Sequence, residues 1–234
     1  HPAHLAEIDL DTLTDLLNSI ERTGKGKMNV MYCLRACLDF AHRAAKIDRI
    51  PPFPKKKQYQ ISRKSPKWIP EARQIAILDA IPDMHQPIFW WLKYHYRRPG
   101  EAMALHKADL KQGSSGRYFH IHRTFSARTL VDTTKTGYEH KIPLVRDFEP
   151  YLDKLAWYQK QWAIVSPYFF VNPTGRMPGK YYTHRVMSAL WHRACEKTGE
   201  HINLYVGTKH SSCGQFLNEK GGNESELRAI TDHA

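Results

Sequence analysis

The sequence predicts a mainly α-helical protein with one small antiparallel β-sheet (α+β), and three observations carry that prediction. Apolar residues recur at three-to-four spacing over most of the 234 residues, the repeat of one helix face. Only two stretches, 117–125 and 128–144, alternate with a strand's period of two, and Thr136-Gly137 is a turn signal inside the second. A proline-rich basic segment over 51–67 separates a short helical region from a longer one.

From the N-terminus, Asp9 or Asp11 can cap a first helix that carries Leu13, Leu16, Leu17 and Ile20 on one side. A second helix from about Met28 to Ile47 has Met31, Leu34, Leu38, Ala41 and Ala45 in register and stops before Pro51-Pro52. Residues 1–50 therefore read as a small helical domain, in part. Residues 51–67 hold six basic residues, four prolines and no acid. The prolines predict a tether, and the charge predicts a strap over phosphates through Lys55, Lys56, Lys57, Arg63, Lys64 and Lys67. Residues 68–234 form the larger domain. Pro70 can open a helix bearing Ile75, Ile77, Leu78 and Ile81, and helices follow over 85–96 and 100–107. After the two strand-like stretches come helices near 148–163, 181–198, 208–219 and 224–231, with the apolar piece Tyr168–Val171 closed by Asn172-Pro173.

Charge narrows the class of partner. Thirty-five Lys and Arg against 23 Asp and Glu leave +12, a field that concentrates polyanions, nucleic acid (DNA or RNA) foremost. Cys33, Cys37, Cys195 and Cys213 make no CxxC pair and no disulfide framework, so a zinc site is not expected and the thiols read as reduced, in a cytoplasmic protein. The longest strongly apolar run, 88–92, is too short to span a bilayer. No acidic cluster suits two-metal chemistry, which argues against a metal-dependent nuclease, and no metal or cofactor is expected.

Four segments carry chemistry. Tyr96-Arg97-Arg98-Pro99-Gly100-Glu101 runs through a helix to Asp109-Leu110. Thr133-Thr134-Lys135-Thr136-Gly137 is followed by Lys141-Ile142-Pro143-Leu144. Asn203 to Ser211 includes Val206-Gly207-Thr208-Lys209-His210, and Leu227 to His233 ends in Asp232-His233. In this order the segments resemble the active-site boxes of tyrosine recombinases, the phage-type integrases. The resemblance implies that Arg98 grips the scissile phosphate with Glu101 orienting it, that Lys135 is the general acid toward the 5′-oxygen, and that His233 donates to a nonbridging oxygen. Lys209 falls where that family has a second arginine, and Val206 where it has a histidine or another polar residue. His210 falls on a position that is structural in most members, and Asp232 replaces a glycine. A guanidinium matches two phosphate oxygens with a planar fork, whereas lysine keeps the charge and loses the fork.

The resemblance further implies DNA cleavage and rejoining through a 3′-phosphotyrosyl intermediate, without metal, by a homotetramer on double-stranded DNA, for integration or excision of a mobile element. The attacking tyrosine is expected after His233, beyond Ala234, so the chain as it stands is expected to be inactive. Lys209 is open to three readings: a natural variant, an engineered substitution or a weakened site. The departures at Val206, Lys209 and Asp232 also fit a relative that has lost catalysis and serves as a DNA-binding regulator or accessory protein. A type IB topoisomerase would share the chemistry, but the helical N-terminal region and linker favour an integrase.

Overall fold

A computed structural model describes residues 5–61, 67–126, 128–134, 137–174 and 178–231. The chain divides into two compact units, His1–Ser65 and Pro66–Ala234.

In the first unit, α1 (Leu10–Ser19) starts where Asp9 accepts hydrogen bonds from the Thr12 backbone N–H at 2.8 Å and the Thr12 hydroxyl at 2.7 Å. Thr23 caps α2 (Gly24–Arg43), which begins four residues earlier than its apolar stripe indicates. Leu13 and Leu17 pack on Met28, Met31 and Tyr59, while Leu38, Ala41 and Ile47 form the next layer. Leu16, placed by its spacing on the buried face, is exposed.

The expected tether over 51–67 is corrected in its first part. Tyr59 is buried against α1 and α2, Phe53 and Ile61 pack beside it, and residues Lys56–Tyr59 form a 3-10 helix. The physical reason is that two helices alone leave an apolar seam, and the aromatic and apolar side chains spaced among the lysines cover it. Gly24 lies so close to the Tyr59 carbonyl that any side chain there would collide with it. Lys55, Lys56, Lys57 and, in the second unit, Lys67 are exposed; Arg63 and Lys64 lie outside the described residues.

The second unit is built around α4 (Gln86–His95). Its Pro-Ile-Phe-Trp-Trp-Leu run has no polar face, and residues 86–93 are all buried. Trp91 meets Phe119 edge-on at 5.6 Å and Phe89 stacks on Trp191 at 6.3 Å. α3 (Glu71–Asp79) precedes it, with Pro70 as its N-cap, one position before the N1 place its ring suits. α5 (Pro99–Ala104) is shorter than the expected 100–107, because residues Lys107–Asp109 turn into a 3-10 helix.

The sheet has the order β1-β2-β5, all antiparallel, with β1 Leu110–Gly113, β2 Gly116–Ile121 and β5 His140–Pro143. Phe119 is opposite Leu110 on one side and Ile142 on the other, so one apolar row faces α4. The stretch 128–144 does not form one strand. β3 (Thr124–Ser126) and β4 (Thr129–Val131) make a separate hairpin, and β5 starts only at His140. α6 (Glu149–Gln161) and α7 (His184–Thr198) follow; α7 starts at the Thr183 cap, later than the expected 181. The helix expected over 208–219 is two elements, a π-helix over Val206–His210 and α8 (Ser211–Asn218), before α9 (Glu224–Thr231).

Candidate active site

Arg98 owes its place to a sharp junction. α4 ends at Tyr96, whose left-handed backbone (φ 54°) turns the chain, and Arg98 then stands as N-cap of α5 with Pro99 at N1. Gly100 lies against β3, where a Cβ would sit 2.7 Å from the Thr124 hydroxyl and 2.8 Å from the Phe125 carbonyl oxygen. The start of α5 is thus pressed onto the hairpin. Glu101, only 2% exposed, accepts from the Arg98 backbone N–H at 3.0 Å and from its guanidinium Nη1 at 3.0 Å. Burial opposes the charge on Arg98, but Glu101 and then the Tyr205 phenol, which lies against the guanidinium, hold it above its ordinary pKa. The neighbouring Arg97 points inward and donates to the Ile230 carbonyl at 2.7 Å, tying the last turn of α9 to the α4–α5 junction.

The second wall is the π-helix. Its i→i+5 closure admits one more residue per turn than an α-helix and leaves backbone carbonyls short of partners. Buried side chains supply them. Gln74 of α3 donates to the Gly207 carbonyl at 2.8 Å and to Thr208 at 3.2 Å, and the Ser211 hydroxyl donates to Val206 at 2.8 Å. Gln74 in turn accepts from buried Lys93 at 2.9 Å, which also binds Glu71 at 2.7 Å. Gly207 is required because a Cβ would run into the Trp191 ring.

This helix carries Lys209 into the interior, 2% exposed. Burial, with repulsion from Arg98 acting against attraction from Glu101, pushes the Lys209 ammonium down to about 8. His210 is half-buried; burial and then Lys209 lower its pKa, and its ring meets Tyr205 edge-on at 4.7 Å. Arg98, Glu101, Tyr205 and Lys209 therefore form one electrostatic cluster, with two cations, one carboxylate and a phenol. The two cations and one carboxylate leave a single positive charge, the match of a phosphodiester monoanion, and their N–H donors can steady a transition state that gains charge.

Of the residues singled out from sequence, the fold brings Arg98, Glu101 and Lys209 together and sets His210 beside them. Lys135 and His233 lie outside the described residues. Their described flanks are ordered: Thr134 donates through its hydroxyl to the Tyr138 carbonyl at 2.6 Å, Gly137 takes a positive φ of 78°, and Thr231 is buried at the end of α9. Tyr205 was missed. Its signal was the very anomaly at Val206, since a polar side chain one position earlier takes the place next to Arg98. Among the described residues no group of three or more His, Cys, Asp or Glu could hold a metal ion, and no helix is long and apolar enough to cross a membrane.

Beside the cluster, Tyr205, Pro99 and Gly100 form one edge of a cavity of about 720 Å³ that extends to β3 and the start of α7.

No family model matches this sequence, and no curated protein does. Solved structures do match in fold. The Tn1549 transposon integrase in complex with circular intermediate DNA superposes with a TM-score of 0.69 at 16% identity, over 100% of this chain and 80% of that one. A lambda integrase tetramer bound to a Holliday junction gives 0.66 at 13% identity, over 98% and 65%. The XerH site-specific recombinase bound to its difH substrate, a pre-cleavage complex, gives 0.66 at 15% identity, again over 98% and 65%. The chain has the fold of the tyrosine recombinases.

Proposed function

We propose that this chain comprises the core-binding and catalytic parts of a site-specific DNA recombinase of the tyrosine type. The observation that carries the reading is the pairing of a carboxylate-locked Arg98 with buried Lys209 on a recombinase fold. Nothing in an ordinary structural ion pair calls for a second buried cation there, whereas a phosphodiester with a pentacoordinate transition state does.

In the proposed reaction the tyrosine, C-terminal to His233 in the full protein, attacks the scissile phosphorus through its phenolate oxygen. The P–O5′ bond breaks, a 3′-phosphotyrosyl ester forms, and Lys135 gives a proton to the departing 5′-oxygen. Arg98 and Lys209 hold the nonbridging oxygens with His233, and Glu101 fixes the Arg98 fork. A 5′-hydroxyl of another duplex reverses the step, so no cofactor is consumed. Lys55, Lys56, Lys57, Arg63, Lys64 and Lys67 are proposed phosphate contacts along the duplex. A homotetramer on DNA is proposed by analogy with the lambda integrase tetramer. Integration or excision of a mobile element is the proposed role, in the cytoplasm.

The test is covalent trapping. The protein extended to its natural C-terminus, offered a nicked suicide substrate, should give a denaturant-resistant protein–DNA adduct that forms equally well in EDTA. Cleavage that leaves no adduct and is lost in EDTA would point to a metal nuclease. A natural C-terminus without a tyrosine, together with salt-sensitive DNA binding, would establish the second reading, a DNA-binding regulator. That alternative is favoured by Lys209, which keeps the charge of the family's second arginine and loses its planar fork.

A further inference from the structure

The cavity of about 720 Å³ next to Arg98 has a composition of its own. Its walls come from the start of α5, the β3–β4 hairpin and the start of α7. Phe125 and Tyr181 lie in it as a stacked pair, with ring centroids 4.3 Å apart, and both are only partly buried. Among the described residues that line it, the ionisable side chains apart from tyrosines are Arg128, His184 and Arg185, and none is acidic. Arg128 sits at the hairpin tip with a left-handed φ of 72°. A non-glycine residue is rarely held there.

We propose that this cavity is a subsite for one unstacked nucleoside of the DNA strand whose phosphate is held at Arg98. The proposal rests on the recombinase reading and deepens it. Aromatic faces flanked by arginines, without a competing carboxylate, form the platform on which single-stranded nucleic acid is bound, because every base offers a π-face and every linkage an anion. The volume is within the range that encloses a small ligand. Tyr205 belongs both to the cavity edge and to the Arg98 cluster, so the backbone can continue from one to the other without a break. An apolar peptide segment, the rival occupant, would leave Arg128 and Arg185 without acidic partners. Unstacking one nucleotide beside the phosphate would free the strand at the point where it is exchanged.

The experiment uses the 234-residue chain and a short single-stranded oligonucleotide carrying one 2-aminopurine. Binding should quench the probe, and Tyr181→Leu should weaken affinity roughly tenfold and remove the quenching. Because Tyr181 packs on Phe125 and its loss could disturb folding, Arg185→Gln is the second variant. It should cut affinity several-fold at an unchanged melting temperature, whereas Arg193→Gln, an exposed arginine elsewhere on α7, should have less effect. Binding without quenching, or equal affinity and quenching in wild type and both variants, would overturn the subsite. Salt-dependent duplex binding in the same preparation and adduct formation by the extended protein test the recombinase reading separately. Their failure would remove the premise, and their survival with an unresponsive cavity would condemn only the subsite.

Discussion

Glu101 grips Arg98 at both ends, taking its backbone N–H and its guanidinium Nη1 at 3.0 Å each. The first contact is a helix cap and the second an ion pair, so one buried carboxylate sets both where α5 begins and where the guanidinium points. Arg98→Ala should therefore abolish adduct formation on a suicide substrate while leaving duplex affinity nearly intact, because one contact of many is lost. Glu101→Gln keeps the shape and weakens the grip; trapping should slow by about 100-fold, the cost of a misaligned reacting group. A trapping rate equal to wild type in the alanine variant would refute the assignment of Arg98.

Lys209 gives the reaction a pH signature. Its pKa is about 8 in the free protein, and a bound phosphate favours the charged form. Below about 8 the ammonium is already present; above it, binding must first take up a proton. Single-turnover cleavage at subsaturating DNA, which reports the free protein, should fall through pH 8 and 9 by at most about tenfold per unit. Lys209→Arg should remove that decline and, if lysine is a handicap here, raise the rate at neutral pH. The same decline in the arginine variant would show that another group titrates.

Tyr205→Phe keeps the ring against His210 and deletes only the hydroxyl beside Arg98. Cleavage should drop by about tenfold, one charge-assisted hydrogen bond, with the melting temperature unchanged. Installing histidine at Val206 in that background should fail to rescue it, since Tyr205, at the start of the π-helix, lies at the guanidinium. Full rescue would mean that a side chain at 206 can take its place.

Gln74→Ala should cost about 1–3 kcal/mol by leaving the Gly207 and Thr208 carbonyls without their donor, and cleavage should fall with it because Lys209 rides on that turn. Denaturant unfolding measures the first effect and trapping the second. Unaltered stability would show that water or the backbone replaces the amide.

Acid should unfold the second unit through two neutral histidines. His95 has its Nδ1 on the Trp91 carbonyl at 3.1 Å and accepts the Val145 N–H at Nε2 at 3.3 Å. Burial pushes its pKa down to about 3, and burial pushes His85 down to about 4. Both folded-state values lie below the unfolded 6.5, so the unfolded chain binds the extra protons. Stability is full above pH 6.5 and falls as pH drops toward 4, by at most about 1.4 kcal/mol per pH unit for each group. His95→Gln should reduce the slope in urea melts taken between pH 6.5 and 4.5 by about one group's share, at most about 1.4 kcal/mol per pH unit.

What the sequence determined by itself was whatever depends on neighbours within a turn or two. The stripes of α1 and α2, the cap at Asp9, and the placing of Arg98 with Glu101 three residues on are short-range and were legible as spacing. The order of the boxes identified the fold through resemblance. The tertiary structure alone decided three things. Tyr59 and Phe53 tied the first part of the expected tether to the helical unit, because only an assembled pair of helices presents the seam they fill. The stretch 128–144 broke into β4 and β5, because pairing with β3 and β2 is a choice among partners that alternation cannot express. The third box wound as a π-helix, because Gln74 and Ser211 meet its carbonyls and Trp191 demands glycine at 207, contacts made from α3, α7 and α8. The polar contact with Arg98 comes from Tyr205, one position before the expected 206, and burial beside Arg98 lowered the pKa of Lys209, a quantity no linear reading contains.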